Sequence, residues 1–337
     1  MKLRRAQVRS VARKRKLDLF QLERRGVGAE PLLIERNFYM TKAAIIGYGN
    51  IGKCVYEAIL AAPDMEAVGV VIRNKSMAAE KGVPQGLVVA EHVSELGDVD
   101  VAFLCVPSRS VPSVAEELLA RGINTVDSYD VHNDIYDVQQ RLSKVAKEGS
   151  AVAIIAAGWD PGTDSMLRCM LEAAAPKGVT YTNYGPGMSM GHTVAVKAIA
   201  GVKKALSVTI PLGTGIHRRL VYVELHDKSD AATVIAAIKN DPYFVNDETH
   251  VQIVDDVDAL QDKGHGVNIV RKGVSGKIDN QLFEFSMRIN GPAITAQIMI
   301  SAGRAAIRQA AGCYTMLEVP MIDLLVGDRE DIIRRLV

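Results

Sequence analysis

The sequence has few cysteines and no long apolar run. Its four cysteines, Cys54, Cys105, Cys169 and Cys313, are far apart and form no C-x-x-C pair. That spacing favours reduced, buried thiols over a disulfide framework, a zinc site or a catalytic thiol, and we expect no metal. No apolar stretch approaches the roughly 18–20 residues that a membrane span needs. The composition therefore predicts a cytoplasmic protein without a membrane partner.

Net charge is nearly absent as well, at +1 for the whole chain, but basic residues are concentrated at the amino terminus. Residues 1–39 hold eleven Lys and Arg against four Asp and Glu, including the run R-K-R-K at 13–16. A basic run can contact nucleic acid, and this one lacks the apolar core of a secretory signal. We favour a disordered or non-native extension over nucleic-acid binding, since Met40 stands three residues before the first predicted strand.

Beyond Met40, short apolar runs alternate with helix-like segments. The runs cover residues 43–47, 66–72, 101–106, 123–126 and 151–156, and helical spacing occurs at 53–62, 111–120 and 138–147. This alternation predicts a doubly wound, Rossmann-type parallel sheet of the α/β class. Polar or glycine-rich clusters follow the runs, at the sheet edge where such folds bind their ligands.

The first run ends in a glycine-rich loop. Its residues match the pattern G-x-G-x-x-G and are Gly47, Tyr48, Gly49, Asn50, Ile51 and Gly52. In such a loop, backbone N–H groups and the amino terminus of the following helix bind a pyrophosphate. Because the loop lies between a predicted strand and a predicted helix, it indicates a dinucleotide-binding domain rather than a set of turn glycines.

The end of the second run indicates which dinucleotide binds. NAD sites usually carry an acidic residue there, about 20 residues beyond the glycines, whereas this chain has Arg73, Asn74 and Lys75. A guanidinium can bind a 2′-phosphate through two hydrogen bonds, and a carboxylate would repel it. We therefore expect NADP as the cofactor. Two other clusters at the same edge are expected to contact it: Pro107, Ser108 and Ser110, then Asp160, Pro161 and Gly162.

The 337 residues are enough for two domains. After residue 158, alternating runs at 205–210, 219–225, 250–254 and 283–289 predict a mixed or antiparallel sheet. We expect a dinucleotide-binding domain at 40–158 and a second, α+β domain for the substrate at 159–290. A helix around 302–311 is expected to bring residues 291–337 back onto the first sheet.

Two acidic residues follow the fourth and fifth runs. Asp130 and Asp160 stand at the same predicted sheet edge, where they could bind an ammonium group, deprotonate it and orient a water molecule. The alternative is structural, with Asp130 capping a helix and Asp160 shaping the turn before Pro161. The residues alone leave both interpretations open.

The second domain carries three further polar features. Residues 184–192 form a glycine-rich loop whose N–H groups could bind a carboxylate. Arg218 and Arg219 stand at a predicted strand start, where one could hold an anionic substrate or both could be solvated. His265 lies between two glycines, which predicts a flexible loop and either exposure or ligand contact.

Together the motifs resemble those of the meso-diaminopimelate D-dehydrogenase family, from Met40 over essentially the whole remaining chain. The segments that carry the resemblance are G-Y-G-N-I-G at 47–52, F-L-C at 103–105, V-D-S-Y-D-V-H at 126–132, G-W-D-P-G at 158–162, G-P-G at 185–187, G-H at 191–192, G-H-G at 264–266, Asn290 and G-R-A-A at 303–306. The combination is specific to that family, whereas the glycine loop alone is not.

The resemblance implies an NADP-dependent enzyme that reversibly deaminates the D-centre of meso-2,6-diaminopimelate to L-2-amino-6-oxopimelate and ammonia, in lysine biosynthesis. It also implies a homodimer formed through the second domain. The roles implied for matching residues are Asp130, Asp160, Trp159 and Tyr184 at the reacting amino group, backbone N–H groups around Met190 and Gly191 at the near carboxylate, Thr209, Arg219 and His265 at the distal L-configured end, and Asn290 nearby.

Two features depart from the family pattern. Met190 replaces the glutamine that is common there, and only ten residues separate Thr209 from Arg219, where longer-loop members carry an insertion. The chain thus resembles the short-loop members, which accept other D-amino acids and 2-keto acids. We therefore predict amination of simple 2-keto acids alongside the main activity.

Two other functions stay open. A related diamino-acid dehydrogenase, such as a 2,4-diaminopentanoate dehydrogenase, would share the predicted fold. A redox-sensing regulator that binds DNA through its basic tail is the other. The acidic pair Asp130 and Asp160 and the cationic pair Arg219 and His265 argue against the regulator, because a sensor has no use for a diamino-diacid pocket.

Overall fold

The computed structural model describes residues 40–260 and 264–337. The basic segment 1–39, with every prediction made for it, lies outside these ranges. The helices within them are α1 (Asn50–Leu60), α2 (Val111–Ala120), α3 (Ile135–Gly149), α4 (Thr163–Ala174), α5 (Met190–Lys197), α6 (Ala231–Asn240), α7 (Gly291–Ala306) and α8 (Arg329–Leu336). The strands are β1 (Thr41–Ile46), β2 (Met65–Val71), β3 (Val89–Ala90), β4 (Val101–Leu104), β5 (Asn124–Asp127), β6 (Val152–Ile154), β7 (Lys177–Tyr184), β8 (Gly187–Met188), β9 (Val202–Gly213), β10 (Ile216–Leu225), β11 (Glu248–Ile253), β12 (Gly264–Ser275), β13 (Ile278–Asn290) and β14 (Gly312–Tyr314).

Seven strands form one sheet in the order β14-β6-β5-β4-β1-β2-β3. Every neighbouring pair in it is parallel. From β1 the chain adds strands on one side, β2 and β3, and then on the other side, starting with β4. The change of direction between β1 and β4 is the point where doubly wound folds bind ligands. The predicted Rossmann-type sheet is confirmed. Strand β14 was not predicted, because three residues are too few to show a periodic pattern.

The central strands are mostly apolar because helices cover both faces of the sheet. Along β1, Ala43 and Ile45 belong to one core cluster, whereas Ala44 and Ile46 belong to the other. Helices α1 and α7 cover the first cluster, and α2 and α3 cover the second. Alternate residues of β1 thus enter opposite cores, so its positions 43–46 are all apolar, and its polar residues are confined to the first two positions.

Helix α7 packs against this sheet through side chains of the first core cluster. It begins earlier than the predicted 302–311 segment, because the side chain of Asn290 accepts a hydrogen bond from the Ala293 N–H at 3.4 Å and starts the helix there. Gly303 allows the closest approach to the sheet, since a Cβ at that position would lie 2.8 Å from the Phe103 ring.

Two smaller sheets follow in the second half of the chain. One has the order β11-β10-β9-β8 and the other β13-β12-β7. All their pairs are antiparallel except β10 with β11, so the expected mixed sheet is confirmed. Strands β7 and β12 were not predicted. The prediction of a loop at residues 184–192 is wrong in part. Strand β7 ends at Tyr184, β8 occupies two residues of this segment and α5 begins at Met190.

The expectation for the cysteines is met only in part. Cys313 is buried, Cys54 and Cys105 are half-buried, and Cys169 is exposed on the outer side of α4, so for that thiol the prediction is wrong. Across the described ranges, no helix combines the length and apolar character needed to cross a membrane. Nor do these residues include a group of three or more His, Cys, Asp or Glu placed to hold a metal ion.

Candidate active site

The glycine loop forms a cradle whose shape depends on having no side chains. Gly47 has φ of +97°, and a Cβ there would lie 2.5 Å from the Cys105 carbonyl oxygen. A Cβ at Gly52 would lie 2.3 Å from the Gly47 carbonyl oxygen, whereas one at Gly49 would meet nothing within 4 Å. The first and third glycines are therefore needed for the turn and the helix contact. The second faces open space, where a ligand can approach the backbone.

The amino terminus of α1 is open toward the same space. Gly49 precedes the helix and no side chain caps it, so the first N–H groups are available to an anion such as a pyrophosphate. The side chain of Tyr48 is buried, and that of Ile51 packs against the same core. Of these two predicted cofactor residues, only the backbone is therefore placed to face a ligand. The loop fits a dinucleotide.

Residues 73–75 follow β2, and among them only Arg73 has no partner within the described ranges. The Asn74 side chain accepts hydrogen bonds from the Ser76 N–H and hydroxyl, at 2.9 and 2.7 Å. Lys75 forms an exposed ion pair with Glu95. Arg73 is exposed, and no residue within the described ranges is paired with its guanidinium. It is the cation at this edge that an added phosphate would meet.

Asp130 connects the two halves of the molecule. Its Oδ1 accepts hydrogen bonds from the Ser108 hydroxyl at 2.6 Å and from the Tyr243 hydroxyl at 2.9 Å. A Cβ placed on Gly191 would lie 2.3 Å from Asp130 Oδ2, so the start of α5 is in close contact with this carboxylate. The short helical turn after it has no side-chain cap. The interpretation of Asp130 as a helix cap is therefore wrong.

Buried Asp127 fixes the loop that carries Asp130. Its Oδ1 accepts hydrogen bonds from the Tyr129 N–H at 2.9 Å and the Ala156 N–H at 3.3 Å. This ties the end of β5 to the end of β6, so the two loops that follow these strands keep a fixed separation. Burial raises the pKa of Asp127 to about 7.

Asp160 belongs to a buried cluster that sequence analysis did not predict. The Tyr184 hydroxyl lies 2.9 Å from Asp160 Oδ1 and 2.8 Å from Asp164 Oδ2. Arg168 donates from Nη1 to Asp164 at 2.6 Å and to the Tyr184 oxygen at 3.0 Å. The cluster contains two carboxyl groups, one phenol and one guanidinium. The four-residue spacing of Asp164 and Arg168 on α4 was the signal available in the sequence.

The two carboxyl groups of this cluster are not equivalent. The side chain of Asp164 is fully buried, and Arg168 forms an ion pair with it. Burial, and next the neighbouring charge of Asp164, raise the pKa of Asp160 well above its usual value. The pKa of Tyr184 is raised as well, by burial and then by Asp160. The surroundings of Asp160 therefore favour the protonated form of its carboxyl group.

Asp130 and Asp160 have His132 as a common neighbour. His132 Nε2 lies 3.9 Å from Asp160 Oδ1, and the charge of Asp130 acts on the same imidazole. Next to Asp160, the Trp159 ring lies 6.0 Å from that of Tyr184 and 5.1 Å from that of His265. Beside Pro161 and Gly162 lies an apolar cavity of about 130 Å³.

Arg219 lies on β10, in the second half of the chain. Its Nε donates to Asp247 Oδ2 at 2.6 Å, and its Nη1 donates to the Thr209 hydroxyl. Thr209 is fully buried. The neighbouring Arg218 instead forms an exposed ion pair with Glu248 at 3.0 Å. Of the two arginines, Arg219 is thus the less exposed one, and the solvated interpretation applies to Arg218.

The prediction of a flexible loop around His265 is wrong. The residue lies in β12, pairs with Ile289 of β13 and is only 9% exposed. Gly266 is needed because a Cβ there would lie 2.2 Å from the Met287 carbonyl oxygen, so the glycine marks close strand packing. The buried Nδ1 of His265 has no hydrogen-bond partner among the described residues. Ligand contact therefore stays possible for a ring that is otherwise part of the core.

Two histidines near Arg219 were not assigned a role from the sequence. His192 Nδ1 lies 2.8 Å from the Ser189 hydroxyl, and its ring packs on Tyr243. His217 Nε2 accepts a hydrogen bond from the Tyr184 N–H at 2.7 Å. Burial, and then Arg219, lower the pKa of both, to about 3 for His192. Both imidazoles are therefore neutral near pH 7.

The remaining predicted substrate residues lie at the ends of helices. Met190 and Gly191 form the uncapped first turn of α5, so their N–H groups are not used by a side-chain cap. Asn290 caps α7, and the next residue, Gly291, lies close to Trp159, with 3.8 Å between its Cβ position and the indole nitrogen. Gly191 thus lies beside Asp130, and Asn290, one residue before the neighbour of Trp159, has a structural role as a helix cap.

Comparison with known proteins agrees with this arrangement. Residues 41–154 match the model of the oxidoreductase family with an NAD-binding Rossmann fold, and residues 158–291 match that of the diaminopimelic acid dehydrogenase C-terminal domain. The meso-diaminopimelate D-dehydrogenase of Bacteroides fragilis is 62% identical over 299 residues, which cover 88% of this chain and 99% of that protein. That of Corynebacterium glutamicum is 32% identical, over 87% of this chain and 98% of that protein.

Two solved structures are similar over most of the chain. The C. glutamicum diaminopimelate dehydrogenase in complex with diaminopimelate has a TM-score of 0.80 and 31% identity, over 88% of this chain and 99% of the other. An engineered D-amino acid dehydrogenase bound to NADP+ also has a TM-score of 0.80, with 30% identity over 88% of this chain and 100% of the other. The fold and the site define an oxidoreductase with a dinucleotide-binding Rossmann domain. The chain belongs to the meso-diaminopimelate D-dehydrogenase family.

Proposed function

We propose that the protein catalyses the NADP-dependent, reversible oxidative deamination of the D-centre of meso-2,6-diaminopimelate. The products are L-2-amino-6-oxopimelate, ammonia and reduced cofactor, with one water consumed. One observation carries the proposal: the structure has a cluster of acidic residues around Asp160, after the sixth strand of a Rossmann sheet, and a separate, partly buried guanidinium, that of Arg219. A diamino-dicarboxylate has ammonium groups and carboxylates that match these two sites.

The residues that would hold NADP follow from the cradle and the sheet edge. Gly47, Gly49 and the open N–H groups of α1 would bind the pyrophosphate, and the unpaired Arg73 would bind the 2′-phosphate. Bound NADP would supply the hydride acceptor. Pro107 and Ser110 lie next to the Ser108–Asp130 hydrogen bond in the chain, and Pro161 and Gly162 follow Asp160, so we expect both clusters to contact the reactive end of the cofactor.

The chain's own groups supply the proton chemistry. An ammonium group must lose a proton before its carbon can lose a hydride, and Asp160, with its raised pKa, is the base best suited to accept that proton. Asp130, held by Ser108 and Tyr243, would bind the nitrogen and orient the water that then attacks the oxidised carbon. Trp159, whose ring contacts Tyr184 and His265, would cover the reacting groups and limit the entry of other water molecules.

Binding of the substrate ends would depend on the other predicted residues. The N–H groups of Met190 and Gly191 would hold the carboxylate next to the reacting carbon. Arg219, Thr209 and the unpartnered Nδ1 of His265 would hold the carboxylate of the distal L-centre. These groups fix which of the two chemically similar ends of the substrate enters the acidic crevice.

The test is an assay of NADPH formation with meso-, LL- and DD-diaminopimelate as separate substrates. We expect turnover of the meso form and none of the LL form, which has no D-centre. Inactivity on all three isomers would overturn the proposal. The predicted amination of 2-keto acids is tested in the reverse direction, with NADPH, ammonia and either pyruvate or phenylpyruvate. Absence of turnover with both would remove that part of the proposal.

We further propose that the protein is a cytoplasmic homodimer, with residues 40–158 and 291–337 as cofactor domain and 159–290 as substrate-binding and dimerisation domain. The sheet β13-β12-β7 supports the dimer, because Ile278, Leu282 and Val179 leave apolar side chains exposed on it, at 67%, 58% and 43%. Light scattering coupled to size exclusion should give twice the mass of the chain. A monomer at micromolar concentration would contradict the proposal.

A further inference from the structure

Arg219 is held by residues of its own sheet. Its Nε donates to Asp247 at 2.6 Å, and its Nη1 donates to the buried Thr209 hydroxyl. The Arg219 side chain is 11% exposed and that of Asp247 23%. Asp247 directly precedes β11, which pairs in parallel with β10, so the two strands bring carboxylate and guanidinium side by side. Within the described ranges, Nη2 has no acceptor and is left for a ligand.

Asp247 supplies the counter-charge of this guanidinium. The other titratable groups on which Arg219 acts are imidazoles, namely His192 of α5, His217 of β10 and His265 of β12. Burial, and then Arg219, lower the pKa of each, to about 3 for His192 and about 4 for His265. They are uncharged at neutral pH. Without a ligand, the positive charge of Arg219 is therefore balanced by Asp247.

We propose that Asp247 is a specificity-determining residue, which neutralises Arg219 from within the protein and so permits substrates whose far end carries no carboxylate. The inference rests on the proposed function, since it concerns which substrates that reaction accepts. A buried charge is unfavourable unless it is paired. If Arg219 had no internal partner, the pocket would require a carboxylate from every substrate. Because Asp247 is present, an apolar far end meets a neutral ion pair instead.

The substitution Asp247→Asn tests this directly, because asparagine keeps the size and removes the charge. We compare kcat/KM for meso-diaminopimelate, with a carboxylate at its far end, and for D-norleucine, with an apolar far end. The ratio of the two should rise about tenfold in the variant, as expected for a buried cation that has lost its partner. An unchanged or lower ratio would overturn the proposal. So would a wild-type protein that uses meso-diaminopimelate but not D-norleucine.

The matched control is Glu248→Gln, at the next position in the chain. It removes a neighbouring negative charge that pairs with the exposed Arg218 and not with Arg219. The substrate ratio of this variant should equal that of the wild type. A rise equal to that of Asp247→Asn would show that any negative charge in this region has the same effect, which would overturn the assignment to Asp247.

A double variant covers the case in which Asp247→Asn does not fold. Arg219→Gln with Asp247→Asn leaves a neutral polar pair and no buried charge without a partner. Its kcat/KM for D-norleucine should exceed that of Arg219→Gln alone, because the single variant leaves the Asp247 carboxylate without its partner. A value no higher than that of Arg219→Gln would contradict the proposal.

Calorimetric binding of pimelate separates this inference from the proposed function, since it needs neither cofactor nor turnover. Pimelate has a carboxylate at each end, so one reaches Arg219 in either orientation. It should bind Asp247→Asn about tenfold more tightly than the wild type or Glu248→Gln. No gain in affinity would overturn the role of Asp247, even if diaminopimelate is oxidised. A gain without oxidation of any diaminopimelate isomer would support this role while the proposed function fails.

Discussion

The two ends of the substrate region both contain an Asp–Arg ion pair, but the pairs leave different groups free. At the acidic end, Arg168 pairs with Asp164, and the neighbouring Asp160 keeps a raised pKa. At the cationic end, Asp247 pairs with Arg219, and the surrounding imidazoles keep lowered pKa values. Burial favours the neutral form of each of these groups, which is a protonated carboxyl group at the first end and an uncharged imidazole at the second. One end is suited to chemistry and the other to recognition.

The largest effect expected from this comparison follows the loss of Asp160. Asp160→Asn should lower kcat about a thousandfold, because general-base catalysis typically contributes between about a hundredfold and ten-thousandfold. NADP affinity, measured by fluorescence titration, should change little. Asp134→Asn, which removes an exposed carboxylate from the neighbouring turn, is the matched control and should retain activity. A loss confined to KM would assign Asp160 to binding and remove the contrast between the two ends.

Loss of Arg219 should have the next largest effect, and of a different kind. Arg219→Gln should lower kcat/KM for meso-diaminopimelate about a hundredfold, mainly through KM, since one partner of a buried charge pair is truncated. Steady-state kinetics in which kcat and KM are resolved check this. Arg218→Gln is the control, because that arginine pairs only with exposed Glu248. If the two variants behave alike, Arg219 is not the recognition group.

A substitution at the cofactor edge of the sheet serves as a reference, because it should change neither the acidic nor the cationic end of the substrate region. Arg73→Glu should weaken NADP about thirtyfold, in line with the loss of charge-assisted hydrogen bonds to a phosphate, and should weaken NAD far less. Dissociation constants of both cofactors, from fluorescence titration, check the prediction. The ratio of meso-diaminopimelate to D-norleucine turnover should stay at its wild-type value. Equal losses for both cofactors would leave the NADP assignment without its main support.

The smallest effect is a shift of the pH profile. Asp164 raises the pKa of Asp160 and Arg168 lowers it, after the effect of burial. A base acts only when deprotonated, so oxidative kcat/KM should rise with pH through the pKa of Asp160. Asp164→Asn should move this rise to lower pH, and Arg168→Met should move it to higher pH. Shifts in the same direction in both variants would show that the acidic cluster does not control Asp160.

Much of the cofactor domain could be predicted from the sequence. Residues such as Ala43 and Ile45 form short apolar runs, because parallel strands covered on both faces have no exposed positions. Gly47 and Gly52 stand where only glycine fits, so their spacing alone indicates the loop. Arg73 could be singled out because it replaces an acidic residue at a position that the fold itself defines.

The substrate region was predicted less completely. The two glycines beside His265 suggested a loop, yet they allow β12 to pack closely against its neighbours. Asp164 and Asp247 were missed because each acts through a partner, Arg168 or Arg219, and only the folded chain shows these pairs to be partly buried. The resemblance to a family supplied roles for individual residues, and it said nothing of the ion pairs that set their charge.

The sequence by itself determined the doubly wound sheet, the glycine cradle, and the positions of Arg73, Asp130 and Asp160 at the sheet edge, because each depends on local pattern or on position along a strand. Only the tertiary structure decided that Asp160 has a raised pKa, that the histidines near Arg219 are neutral and that Asp247 balances this arginine. The reason is physical. Charge and pKa depend on burial and on neighbours distant in the chain, and neither is contained in the spacing of residues.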